Sequence, residues 1–318
     1  MNWIIAGGTG FLGTELSNYL THLGYDVTVL TRQHREDHNG VHYVHWNHED
    51  VETLTRLIDG CDVLVNLCGL SVDTRYTKAN KQKLYASRID PTRALGLASR
   101  KCTSPPPVVL QMSTATIYKD STTNFWDEAG ELGTGFSVDL ATKWEEEAKL
   151  HFEETSRLVL LRTAIVLGRS GGAYPPLRQL SLFGFRGFGG RALKFSWIHV
   201  QDFCKAVVHC AKSNLHGPVN LAAQPTTVVE FMRNASQAQG GLSLLKMPEW
   251  MVQFGSILLQ TEPELLLKSR NVLGRKLRYS GFEFRYPHII DAVRDLEQPR
   301  TSGKSSVYRG YDWLSGEA

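Results

Sequence analysis

Seven residues near the start of the chain, Gly7-Gly8-Thr9-Gly10-Phe11-Leu12-Gly13, leave few folds open to it. They follow an apolar run at 2–6. They open a stretch in which Phe11, Leu12, Leu16, Tyr19, Leu20 and Leu23 recur at helical spacing. Strand, glycine turn and amphipathic helix therefore come in immediate succession. Glycine at the turn takes backbone angles closed to other residues, a second glycine lets the chain approach a ligand, and Gly13 lets the helix lie directly on the strand. The helix then begins with free N–H groups and the positive end of its dipole, a site for a phosphate. The residues read as G-x-G-x-x-G from Gly8 and as G-x-x-G-x-x-G from Gly7. The alternative is a plain glycine turn, and the strand before, the helix after and a second strand on schedule argue against it.

The same alternation continues. The runs 25–31, 41–46, 61–67, 107–113 and 157–163 are apolar and β-rich, and helical patterns lie at 51–58, 78–99 and 138–152. Pro91 is expected to interrupt the second of these helices or to start its second half. Strands that are apolar almost throughout, separated by crossover helices, predict an α/β fold with a doubly wound, Rossmann-type parallel sheet covered on both faces. Ligands of such folds sit at the carboxyl ends of the strands, where the strand order reverses. Beyond about residue 165 the pattern loosens. Residues 168–190 are rich in glycine and read as a loop-rich lid or substrate region anchored by Leu177, Leu180, Leu182 and Phe183. Helices follow at 201–211 and 228–238, with a strand at 219–222. The expected organisation is a Rossmann core over 1–165 and a mixed region over 166–245 that completes the sheet and the substrate cleft. A smaller, mainly helical C-terminal lobe over 246–296 and a polar tail over 297–318 complete it.

The end of the second strand decides which dinucleotide the cradle takes. A site for NAD places an acid there, roughly 20 residues past the glycines, on the ribose 2′-hydroxyl. This chain has Thr31-Arg32-Gln33-His34-Arg35 and no acid before Glu36. A guanidinium binds a 2′-phosphate through two N–H groups and stacks on adenine. NADP(H) is therefore the expected cofactor, with Arg32 its ligand and Arg35 a helper; a solvated basic turn is the plain alternative. The fourth strand ends in Asn66-Leu67-Cys68-Gly69, residues that pass the ribose and adenine or simply form the turn.

Other classes find little support. Thirty-five basic against 32 acidic residues, a formal charge of +3, make no case for nucleic acid or a membrane surface. No run nears the ~20 apolar residues of a spanning helix, and the N-terminus reads as a strand, not a signal peptide. The five cysteines lack metal-site spacing, and His38, His42, His45 and His48 do not keep one face of a strand, so no metal is expected. The expectation is a cytoplasmic protein, monomer or homodimer, that acts on a small molecule.

GGTGFLG at 7–13 is followed in order by VNLCG at 65–69, MSTATIY at 112–118, LRTAIVLG at 161–168, SWIHVQD at 196–202 and GFEFRYP at 281–287. Over roughly residues 1–296 the chain thereby resembles the extended short-chain dehydrogenase/reductases. Within them it resembles an atypical group similar to nucleoside-diphosphate-sugar epimerases, with a C-terminal helical domain of unknown function. Gly274 stands where that group usually has proline. The resemblance implies that NADP(H) is held by Gly7, Thr9, Gly10, Phe11, Leu12, Gly13, Thr31, Arg32, Arg35, Leu67, Cys68, Gly69, Met112, Ser113, Arg162 and Ile165. Active members of the superfamily use a Ser/Thr and a Tyr-x-x-x-Lys pair. The Tyr exchanges a proton with the substrate and the Lys lowers its pKa, because a free phenol near ~10 is a poor base at neutral pH.

Thr114 stands at the Ser/Thr position, beside Ser113. The pair is missing, since none of the eleven tyrosines has a lysine four residues later. Alignment puts Ser137 at the Tyr place and Ala141 at the Lys place, and Lys143 lies about 200° around a helix from Ala141. The catalytic candidates are thus Thr114 and Tyr118, the latter presenting its hydroxyl to the cleft or merely filling a strand exit. Arg88, Trp197 and His199 are the expected substrate contacts. Arg88 would take an anionic group or pair with a carboxylate, and His199 is a near-neutral titrating group or a structural histidine bonded to backbone. Glu145-Glu146-Glu147 reads as a solvated helix face. Two functions are consistent with this inventory. One is an NADP(H)-dependent oxidoreductase or epimerase-like enzyme acting on a nucleotide sugar or another carbonyl compound. The other is a non-catalytic NADP(H)-binding sensor or regulatory protein.

Overall fold

The computed structural model describes residues 1–188, 193–242, 245–247 and 268–298. Strand β1 (Asn2–Ala6) pairs in parallel with β2 (Asp26–Thr31) on one side and β4 (Val63–Asn66) on the other. β3 (Val41–His45) extends the sheet beyond β2. β5 (Val108–Thr114), β6 (Arg157–Thr163) and β11 (Gly217–Leu221) extend it beyond β4, all in parallel. The order β11-β6-β5-β4-β1-β2-β3 is the doubly wound sheet expected from the sequence. Winding reverses between β1 and β4, so the glycine turn after β1 lies at the switch point, where such sheets bind ligands.

Side-chain alternation assigns each strand residue to a layer. Trp3 and Ile5 are buried with Leu16 and Leu20 of α1 (Phe11–His22) and with Phe203 and Val207 of α6 (Val200–Lys212). Ile4 and Ala6 pack on the opposite face against Leu54 of α2 (Val51–Ile58), Leu95 of α3 (Lys78–Lys101) and Phe152 of α4 (Phe136–Phe152). Burial from both sides is why these strands read as unbroken apolar runs. The Arg157 guanidinium, at the start of β6, donates to the carbonyls of Cys210, Ala211 and Leu215 and so pins the end of α6 to the sheet.

Two expectations are corrected. Pro91 neither breaks nor begins a helix: α3 runs through it for 24 residues. Its missing N–H is tolerated because Pro91 is buried within a helix that α2 and α4 clamp through Ala94, Leu95 and Ala98. Of residues 168–190, the described part, 168–188, is not mainly loop. It contains α5 (Tyr174–Leu182) and β8 (Phe185–Phe188). Pro175 and Pro176 fall in the first turn of α5, where a proline N–H is not needed. Leu177 is buried as an anchor, but Leu182 and Phe183 are 56% and 71% exposed and anchor nothing.

A smaller lobe forms around a second core. Tyr174 of α5, Phe231 and Met232 of α7 (Val228–Ala238) and Ile289 and Val293 of α9 (Ile289–Glu297) meet there. A short helix, α8 (Arg275–Tyr279), precedes α9 and packs on the main core through Leu277. β7 (Ile165–Leu167) pairs with β10 (Trp197–His199), β9 (Lys194–Phe195) with β12 (Thr226–Thr227), and β8 with β13 (Leu245–Met247). Residues 248–267 and 299–318, which carry part of the expected helical unit and most of the expected tail, lie outside the described residues. Among the described residues no helix is long and apolar enough to cross a membrane.

The end of α9 is tied down by charge. Arg169 donates to the carbonyls of Asp295 and Gln298, while Tyr174 and Arg178 each bond the Glu297 carboxylate at 2.6 Å. Tyr286 donates to Asp295 at 2.7 Å, and His199 Nε2 lies 3.3 Å from the other Asp295 oxygen. Burial pushes both carboxyls up. The bonds from His199 and Tyr286 outweigh it at Asp295, those from Arg178 and Tyr174 outweigh it at Glu297, and both end below the ordinary range. A carboxyl depressed in the fold contributes stability above its unfolded pKa, about 3.9–4.3, and loses it as pH falls through the folded value. Hydrogen exchange, corrected for intrinsic rates, is therefore expected to show α9 losing protection below about pH 4 while the central strands keep theirs. Simultaneous loss in α9 and the sheet would contradict this assignment.

Candidate functional site

The site is built on the carboxyl ends of β1, β2, β4 and β5. Gly7 turns with φ +77°, and a Cβ on it would lie 2.8 Å from the backbone of Leu67 and Cys68. Only glycine lets the turn after β1 lie this close to the turn after β4. A Cβ on Gly13 would fall 2.3 Å from the Gly8 Cα, so the start of α1 rests directly on the turn. Gly10 is different. It is exposed and a Cβ on it would meet nothing within 4 Å. Gly10 is also the N-cap of α1, which has no side-chain cap and no acid in its first turn. The Phe11, Leu12 and Gly13 N–H groups thus open the helix without a side-chain acceptor, beside a backbone that leaves room. These features fit a diphosphate, whose charge would meet the helix dipole. The Phe11 ring points elsewhere: Cβ atoms on Gly168 and Gly171 would fall 2.3 and 2.4 Å from it, so the turn after β7 closes over that ring.

Thr31 shapes the next part. Its buried hydroxyl donates to the Gln33 carbonyl at 3.1 Å and accepts from the Gln33 N–H at 3.2 Å, which folds a tight turn and leaves Arg32 exposed at its tip. Arg35 is exposed on the same segment, where the His34 and His45 rings stack at 4.6 Å. Burial pushes the half-buried Cys68 thiol up to about 12, against the pull of the Arg32 charge. Arg32, just after β2, and Cys68, just after β4, therefore stand on either side of the turn after β1.

Behind that edge lies a polar core. Asn66 is fully buried and donates to Thr92 and Gln111 at 2.9 Å each, while its carbonyl accepts the Cys68 N–H at 3.0 Å. Thr92 also accepts from the Trp144 indole and donates to the Arg88 carbonyl. One asparagine thus locks β4, β5, α3 and, through Trp144, α4 around the turn. Of the two readings left open for Asn66, the structure realises the turn-former.

Four expectations about side chains are corrected. Tyr118 does not face a cleft: it is buried, donates to Asn220 Oδ1 at 2.8 Å and accepts from Arg162 at 2.9 Å. Burial pushes its phenol up to about 12 despite those bonds. The Arg162 guanidinium is not available to a cofactor, because it forms a two-pronged ion pair with Glu145 at 2.8 Å. Burial opposes its charge, and the pair outweighs burial and holds Arg162 charged. Glu145 is consequently no solvated residue; it also accepts from Ser113 at 2.6 Å. Arg88 meets neither an anion nor a carboxylate. It is buried against the Gly69 turn and donates to the carbonyls of Leu70 and Leu84, with burial pushing it down to about 10.

Trp197 and His199 are likewise walled off from substrate, at 0% and 1% exposure. His199 caps α6, its Nδ1 accepting the Gln201 N–H at 3.2 Å. The sequence held no signal for Glu145 apart from its helical setting, because the partner that buries it lies 17 residues away on another element. Of the remaining candidates, Met112, Thr114 and Ile165 are half-buried around the ends of β5 and β7. The Thr114 hydroxyl accepts the Thr116 N–H at 3.2 Å and caps a short 3-10 turn (Ala115–Ile117). Among the described residues no cluster of His, Cys, Asp or Glu has metal-ligating geometry.

Residues 3–135 match the model of the NAD dependent epimerase/dehydratase family, and residues 247–296 match DUF1731, a domain of unknown function. The chain is 30% identical over 304 residues to the epimerase family protein SDR39U1 of Bos taurus, covering 93% of this chain and 99% of that one. It is 30% identical over 301 residues to the epimerase family protein YfhF of Bacillus subtilis, covering 93% and 98%. A crystal structure of human SDR39U1 (isoform 2) with NADPH superposes at a TM-score of 0.83, with 27% identity over 93% of this chain and 99% of that one.

The ion pair at the end of β6 has a measurable consequence. Removing one partner of a buried pair leaves the other charged and desolvated, which costs about 3–5 kcal/mol. Glu145→Ala is expected to lose about that much stability in urea unfolding, and Glu146→Ala, on the exposed side of the same turn, about 0.5 kcal/mol or less. Equal small losses would contradict the assignment.

Proposed function

The chain belongs to the NAD-dependent epimerase/dehydratase family, in an SDR39U1-like branch with a C-terminal DUF1731 domain, and from that membership we propose an NADP(H)-dependent oxidoreductase or epimerase-like enzyme. One observation carries the proposal. The first helix starts uncapped beside Gly10, with open space where a side chain would stand. NADPH in the human relative's crystal structure supports the same reading.

When bound, the nicotinamide supplies a two-electron exchange with a substrate carbon. The rest is the work of the chain. Phe11, Leu12 and Gly13 would offer backbone N–H groups to the diphosphate, with Gly7 and Thr9 shaping the turn. Arg32, aided by Arg35, would recognise the 2′-phosphate. Leu67, Cys68 and Gly69 would line the ribose and adenine side. Met112, Ile165 and the backbone at Ser113 would line the nicotinamide side. Thr114 would orient a substrate oxygen through its hydroxyl. The substrate is a small carbonyl compound, a nucleotide sugar among them.

A second reading has its own support. Ser137 and Ala141 occupy the places of the superfamily's Tyr and Lys, which favours a protein that binds NADP(H) without turnover and signals cofactor state to a partner. The two part on a carbonyl panel followed at 340 nm: silence with saturating NADPH favours the sensor.

Calorimetry tests what both share. Nucleotide-free protein is expected to bind NADPH more tightly than NADH. Arg32→Ala should weaken NADPH about ten- to hundredfold, the worth of a charge-assisted hydrogen bond, and leave NADH unchanged. Equal affinity for the two nucleotides would remove Arg32 from this role.

A further inference from the structure

Two imidazoles stand beside the turn that bears Arg32. His34 lies two residues past Arg32, and His45 ends β3. Their rings stack with centroids 4.6 Å apart and planes inclined by 15°. Alternation along β3 decides on which face of the sheet His45 stands. Val41 and Tyr43 pack in the core that α1 shares, whereas Val44 packs in the core on the opposite face. His45 follows Tyr43 by two residues and so shares the α1 face. Its partner in the ladder is Thr31, and the Trp46 N–H donates to the Thr31 carbonyl at 3.0 Å. Thr31 is also the residue whose hydroxyl folds the turn that leaves Arg32 outward. The imidazole pair and the Arg32 turn therefore hang from one point of the sheet, on the side where α1 opens.

The two rings differ from the other histidines around them. His42 has a carboxylate: its Nδ1 lies 2.7 Å from Asp37, which also accepts the Tyr43 N–H at 2.9 Å. His34 and His45 are exposed, and among the described residues neither has a hydrogen bond or an ion pair. Imidazole changes charge near neutral pH. Protons on both rings of a stacked pair repel each other, and a doubly charged phosphate beside them draws protons onto them instead. The remaining charged groups on this edge sort by where they titrate. Arg32 and Arg35 stay charged throughout the neutral range. Glu36 and Asp37 on the same segment, Glu49 after β3 and Glu15 on α1 are carboxylates, and Tyr43 is a phenol, which ordinarily titrate well outside that range. His38, His42, His48 and, on α1, His22 are the other groups of the neutral range, and none of them stacks on the pair.

We propose that His34 and His45 are the proton-linked half of the 2′-phosphate site: the stacked imidazoles take up a proton as the phosphate binds and so strengthen the preference for NADP(H) over NAD(H) as pH falls toward 6.5. This rests on the reading of the cradle as an NADP(H) site and adds the groups that tune its choice of nucleotide. The sign follows from the proton count. A phosphate monoester loses its second proton near pH ~6, so above that the ligand's charge is nearly constant and the imidazoles govern the change. A complex that holds more protons than its separate parts weakens as pH rises.

The test is calorimetry on the nucleotide-free full chain with NADPH and with NADH at pH 6.5, 7.5 and 8.5. At pH 7.5 it is repeated in HEPES and in Tris, whose ionisation enthalpies differ, so that protons taken up are counted. NADPH is expected to bind with net uptake of protons and to weaken about three- to tenfold from pH 6.5 to 8.5, and NADH to do neither. The double variant His34→Gln, His45→Gln changes exposed side chains and is expected to lose both the uptake and the pH dependence while still preferring NADPH through Arg32. His42→Gln, on the same strand, is expected to keep both. Equal pH dependence for the two nucleotides would overturn the proposal, as would a double variant with wild-type proton uptake or a His42→Gln variant without it. Absence of NADPH binding at all three pH values would instead overturn the cofactor reading on which it stands.

Discussion

The contact between Gly13 and Gly8 sets the rest of the site. A single added carbon on Gly13 would sit 2.3 Å from backbone, so α1 can rest on β1 only as these two glycines allow. That closeness puts the uncapped first turn of α1 at the sheet's switch point, facing the open side of Gly10. It also carries Phe11 under the glycines after β7, so the phosphate turn and the entry to the smaller lobe share one packed ring. Arg169, in that same glycine segment, holds the end of α9. The glycine turn after β1 and α9 are thereby joined by a short chain of direct contacts.

The fold was legible where the cause is local. Helical spacing after a glycine turn, apolar strands and basic residues after β2 are properties of neighbouring residues, and β1, α2, β6 and α7 fall at the expected positions. Thr31-Arg32-Gln33 was read as the 2′-phosphate site, with a solvated basic turn as the plain alternative. The structure adds that the Thr31 hydroxyl folds it and leaves Arg32 outward. Pro91 was misread because local propensity is outweighed by two helices clamping α3. Prolines in the first turn of α5 look the same in sequence as prolines in a loop.

The site's charged residues were harder, for a physical reason. Whether an arginine binds a ligand or a neighbour depends on partners far along the chain. Arg162 finds Glu145, Arg88 finds two carbonyls, and Tyr118 finds Asn220, 102 residues away. Each pairing takes a candidate out of the cleft and makes it framework. Desolvation explains why: a buried charge must be paired or hydrogen-bonded, and once satisfied it is not free for substrate. What is left at the cradle is chiefly backbone N–H and the exposed Arg32.

We infer a diphosphate site at the amides that open α1. Hydrogen–deuterium exchange over residues 7–13, measured with and without saturating NADPH, tests it most directly. Exchange at Phe11, Leu12 and Gly13 is expected to slow when the nucleotide is present. Unchanged exchange across this turn, in protein that demonstrably binds NADPH, would contradict it.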